Sequence, residues 1–95
     1  MMFWKTKKTQ QPRWGRADAK TLLHGLGIPD GEYGVVVQSI PRLRWVKVRL
    51  APHHTPKAGA VRAAVLAELT RQGLLGHCDV YGFQEGEDHE CHRLA

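Results

Sequence analysis

The stretch YGVVVQSIPRLRWVKVRL, residues 33–50, decides the fold. Its first half is rich in β-branched residues, and its second half alternates bulky apolar side chains with basic ones. Such period-two alternation marks a half-buried strand. Strands are therefore predicted over 33–40 and 43–50, with Pro41-Arg42 as a tight connection. Pairing Ile40 with Leu43 sets Val37 opposite Val46, Val35 opposite Val48 and Tyr33 opposite Leu50. Cross-strand neighbours share a face, so those last six residues make one apolar side. Gln38, Trp45, Val36, Lys47 and Arg49 gather on the other. A turn one residue longer would slip the register and mix the two sets, so the clean sorting selects the shorter one.

The flanking segments supply what the apolar side packs against. ADAKTLLHGLG, residues 17–27, predicts a short helix with Asp18 at its N-terminus, Leu22 and Leu26 one turn apart, and Gly27 as its stop. HTPKAGAVRAAVLAELTRQG, residues 54–73, predicts a longer one, with Thr55 as N-cap, Pro56 at the first helical position and Gly73 as the stop. Ala58, Val61, Val65 and Leu69 form its inward stripe, broadened by Leu66. HCDVYGF, residues 77–83, reads as a third strand with Tyr81 and Phe83 on one side and Val80 on the other.

The expected fold class is α+β, a small two-layer sandwich in the order α-β-β-α-β. It becomes ferredoxin-like β-α-β-β-α-β if residues 1–16 contribute a strand, and otherwise those residues form a basic arm. Residues 17–84 are expected to be the single domain. Residues 85–95, EGEDHECHRLA, lack apolar periodicity and are expected to be a mobile acidic tail.

Length and composition agree with one such domain. The 95 residues are 42% hydrophobic and 24% charged, ordinary values for a globular chain of one modest core. No apolar run approaches the roughly 18 residues of a membrane span. MMFWKTKK has charges without a following apolar region, so no secretory signal is read and a cytoplasmic location is expected. The net charge of +5 is uneven. Residues 1–57 carry eleven Lys and Arg against three Asp and Glu, and residues 58–95 carry three against six. A basic body with an acidic end suits a polyanion partner.

The hairpin's second face is the leading candidate site. With the valines turned inward, Trp45, Lys47 and Arg49 point away from the helices, with Arg42, Arg44 and Lys57 at the rim and Tyr81 and Phe83 as neighbours. Aromatic rings on an open sheet stack on unpaired bases, while Lys and Arg hold phosphates. RNA or single-stranded DNA is therefore the expected partner. In element order and surface chemistry this resembles RRM-type RNA-binding domains. It is a resemblance of architecture, since the glycine-aromatic consensus of their third strand is absent from RLRWVKVRL. A protein-interaction module, either a homodimer or an accessory protein docking on a larger partner, is the alternative, because Trp and Arg are also enriched in protein interfaces.

Two further groups carry chemistry. His53, His54 and Lys57 in APHHTPK precede a helix N-terminus and could assist an anion there. Cys78, His89, Cys91 and His92 are zinc-ligand types near the end of the chain, although their spacing matches no standard finger. No paired carboxylates, Ser/His/Asp grouping or phosphate-cradling glycine loop stands out. A non-enzymatic role without a cofactor is expected, with a metal-binding or small nuclease-like protein as the third reading.

Overall fold

The computed structural model describes residues 13–83 and 91–95. Two helices lie on one side of a sheet, an α+β two-layer arrangement. The elements are α1 (Arg16–Gly25), β1 (Tyr33–Ile40), β2 (Leu43–Leu50), a 3-10 segment (Pro52–Lys57), α2 (Ala58–Arg71), β3 (Leu75–Phe83) and β4 (Cys91–Arg93). The sheet order is β1-β2-β3-β4, and β2 and β3 are parallel while both outer pairs are antiparallel.

The hairpin forms in the predicted register, from Ile40↔Leu43 through to Tyr33↔Leu50. Its two-residue turn places Arg42 at φ 67°, a left-handed conformation that usually favours glycine. Val46, Val48 and Leu50 are fully buried against the helices. Across the layer they meet Val61, Val65 and Leu69 of α2, Leu23 of α1, and Ile28. Burying each such side chain contributes roughly 1.5–3 kcal/mol, so this contact is the main tie between the layers.

Both helices end in the same way. Gly27 and Gly73 take φ values of 87° and 76°. In each case the glycine N–H and the next residue's N–H bond back to carbonyls of the last turn: Gly27 to His24 and Ile28 to Leu23, then Gly73 to Thr70 and Leu74 to Leu69. This closure satisfies carbonyls the helix would otherwise leave open, and it drops an apolar residue into the core. Ile28 and Leu74 are both buried. No atom lies near a Cβ built at Gly73, nor at Gly59 inside α2. Gly73→Ala should therefore cost about 1–2 kcal/mol from the left-handed backbone alone. Gly59→Ala should instead gain about 0.5–1 kcal/mol. Urea unfolding of the two variants checks the opposite signs.

Several boundaries depart from expectation. Asp18 does not precede α1; the helix starts at Arg16, and the Asp18 carboxylate reaches back to accept from the Gly15 N–H at 2.9 Å. Residues 52–57 form a 3-10 turn, and α2 begins only at Ala58. Thr55 donates to the Pro52 carbonyl at 3.0 Å instead of capping α2. Trp14 is buried, so the packed unit begins before residue 17. Residues 1–12, most of the segment expected to form either a first strand or a basic arm, lie outside the described residues. β2 and β3 are direct partners, which leaves no position between them for the interposed strand of a split, ferredoxin-like sheet.

The end of the chain differs most. Residues 91–93 pair with β3, Leu94 donates to the Val80 carbonyl at 2.7 Å, and Ala95 packs against the core. They carry no periodicity because a three-residue edge strand needs little more than backbone hydrogen bonds.

Candidate functional site

Strand alternation sets the geometry of the sheet face opposite the helices. The cross-strand rows on this face are Ile40–Leu43–Leu75, Gln38–Trp45–His77, Val36–Lys47–Asp79 and Gly34–Arg49–Tyr81, the last extended by Arg93. Trp45 is 39% exposed, and Lys47, Arg49 and His77 are exposed as well. Tyr81 is half-buried on the same face.

Trp45 is held in place. Its indole stacks on His77 with ring centroids 4.9 Å apart and planes at 26°. Its Nε1–H donates to Asp79 Oδ2 at 3.1 Å, and Asp79 Oδ1 accepts from Arg93 at 2.8 Å. One carboxylate thus fixes the ring's orientation while an arginine balances its charge. Arg49 and Lys47 line a cavity of about 280 Å³ with Gly34, Val36 and Tyr81. Arg49 also lines a cavity of about 220 Å³ at the neighbouring end of the hairpin.

Sequence reasoning missed His77, Asp79 and Arg93. They join Trp45 only through the parallel register of β2 with β3 and the short β4, and neither leaves a local pattern. Phe83 lies at the end of β3, and its side chain is outside the described residues.

Of the three expected rim residues, Arg44 and Lys57 are placed differently from expectation. Arg42 is exposed in the turn. Arg44 is buried on the helix side of the sheet. Its Nε donates to the Trp14 carbonyl at 2.8 Å and its Nη1 to the Ile40 and Leu43 carbonyls, each at 2.9 Å. Arg44 shares the parity of Val46 and Val48, so alternation turns it inward, where carbonyl oxygens receive its guanidinium. Lys57 donates to the Leu26 carbonyl at 3.1 Å, at the negative end of α1, and does not join the sheet face.

The expected anion site also rearranges. His53 and His54 both turn their Nε2 atoms to Glu32 Oε1, at 3.1 and 2.5 Å. That carboxylate brings negative charge to the place an anion would need. The His54 hydrogen bond, with burial opposing it and His53 adding to it, holds the Glu32 carboxyl below its ordinary range.

Of the thiol and imidazole residues near the chain's end, Cys78 faces the helices and is buried as a free thiol. Burial pushes its pKa up to about 11, which leaves little of the thiolate that nucleophilic attack requires. His89, and the side chains of Cys91 and His92, lie outside the described residues. No candidate membrane span occurs among the described helices. Comparison of the chain with protein-family models, with curated proteins and with solved structures gives no match to any of them.

Proposed function

We propose that the open sheet face binds single-stranded nucleic acid, RNA or single-stranded DNA, without catalysis. The observation that carries this reading is Trp45: an exposed indole, fixed edge and face by Asp79 and His77, on the same side of the sheet as Lys47 and Arg49. A preoriented ring loses little freedom when a base stacks on it, and each such stack contributes roughly 1–3 kcal/mol. Lys47 one row away and Arg49 two rows away suit the phosphates between successive bases. The +8 excess of residues 1–57 favours the approach of a polyanion. An aromatic sheet surface suits splayed bases better than a duplex, whose bases are already stacked. The test is titration of fluorescently labelled single-stranded RNA with the full chain. Saturable binding that weakens steeply with salt, and for which duplex DNA competes poorly, is the expected result.

A second reading is a protein partner or a second copy of the chain. It is favoured by the row Ile40–Leu43–Leu75 beside Trp45, in which Ile40 is 38% and Leu75 70% exposed. Contiguous apolar surface of this kind is what protein interfaces cover. A molar mass that rises with concentration, and falls back in a Leu75→Lys variant, would favour it over nucleic acid.

A further inference from the structure

The loop before β1 and the turn after β2 carry a grouping distinct from the sheet face. Tyr33 and Leu50 are the last pair of the hairpin, so the residues just beyond them emerge side by side. The Ala51 N–H donates to the Glu32 carbonyl at 3.0 Å, and the His54 N–H donates to the Ala51 carbonyl at 2.9 Å. The backbone therefore brings Glu32 against His53 and His54, although the first histidine lies 21 positions further along the chain. A ligand atom from each of the three lies within 4.8 Å of the others. Among the described residues this is the group of three so arranged.

We propose that Glu32, His53 and His54 form a divalent-metal site for zinc, with a fourth coordination position open to solvent or to a small ligand. Two imidazole nitrogens and one carboxylate oxygen are a set that zinc accepts when it keeps an exchangeable position. At metal–ligand distances of about 2.0–2.1 Å, tetrahedral ligand atoms stand roughly 3.3 Å apart. The His53 Nε2–Glu32 Oε1 separation of 3.1 Å is already close to that edge, and the His54 separation of 2.5 Å has to open modestly. Without a metal, both Nε2 atoms must carry protons to share one carboxylate oxygen. With a metal, each ring binds through the Nε2 lone pair and keeps its proton on Nδ1.

The environment supports that exchange. His54 is 7% exposed and fixed within the 3-10 turn, while His53 and Glu32 leave a route for the ion. Glu32 also lines the cavity of about 220 Å³ with Gly31, Tyr33, Gly34 and Arg49. A fourth ligand on that side would be water or a small anion.

The test uses the untagged full chain, stripped of metal with a chelator and titrated with zinc and, separately, cobalt(II). The expected results are uptake of one zinc per chain, a rise in melting temperature on zinc addition, and visible cobalt bands of tetrahedral intensity. Glu32→Gln and His53→Ala change a half-buried and an exposed side chain and should keep the fold by circular dichroism. Each should weaken zinc binding by more than about tenfold, since even outer-shell changes cost that much. A Cys91→Ser/His92→Ala variant should bind as the parent does. The proposal is overturned if zinc shows no one-to-one uptake. It is equally overturned if Glu32→Gln and His53→Ala bind unchanged, or if the Cys91→Ser/His92→Ala variant is the one that loses the ion.

Discussion

Replacing Arg44 with alanine should destabilise the fold by about 3 kcal/mol, much of the 5–15 kcal/mol net stability typical of a small domain. The guanidinium reaches three backbone carbonyls, those of Trp14, Ile40 and Leu43. It joins the segment before α1 to the turn end of the β1–β2 hairpin. Removing it strands one buried and two part-buried acceptors, and each unsatisfied buried group costs about 1–3 kcal/mol. Arg44→Lys should recover only part of the loss, because a single ammonium cannot span the positions that a planar fork reaches. Arg42→Ala removes the same charge from an exposed site two residues away and should change stability by less than about 1 kcal/mol. Urea unfolding of the three variants separates a structural arginine from a surface one. A near-native Arg44→Ala with weakened RNA binding would instead place Arg44 at the ligand.

The second large effect concerns affinity. A Lys47→Ala/Arg49→Ala double variant should lower affinity for single-stranded RNA on the order of tenfold at low salt. It should also flatten the dependence of log K on log salt by about 1.4, roughly 0.7 for each single-strand phosphate that the variant no longer neutralises. Both side chains are exposed on β2 between inward-facing apolar residues, and circular dichroism of the double variant checks that its fold is kept. Trp45→Ala should act differently, weakening binding by a similar amount with little change in salt slope, because stacking releases no counterions. Equal salt slopes for the parent and the double variant would show that these cations do not meet phosphate.

The hairpin was legible because one pattern fixed strand type, register and burial together. Val35, Val46 and Val48 had only one arrangement in which they shared a side. The α2 stripe of Ala58, Val61, Val65 and Leu69 was legible for the same reason, and all four are buried. Where α2 starts was not, since Thr55-Pro56 imitates a cap while Pro52 and Pro56 sit within a 3-10 turn. Arg44 shows two cues in conflict: its charge suggested solvent, but its parity with Val46 placed it inside, and parity prevailed because backbone carbonyls were there to receive it. His77, Asp79 and Arg93 reach Trp45 through pairings between distant segments. Glu32 was closer to view. Extending the correctly predicted register one residue past Tyr33–Leu50 brings it beside Ala51, next to the two histidines already singled out.

Binding at the Trp45 face is read most directly from a ¹H–¹⁵N correlation spectrum of the labelled chain during titration with single-stranded RNA. The indole Nε1–H of Trp45 gives its own resonance, assigned by its loss in Trp45→Phe, and it reports on the ring directly. This signal should move together with the backbone amides of Lys47, Arg49, His77 and Tyr81, while those of Val61 and Val65 on α2 stay in place. Shifts centred on α2 with the Trp45 indole unmoved, or no shifts at RNA concentrations that saturate the titration, would contradict binding at that face.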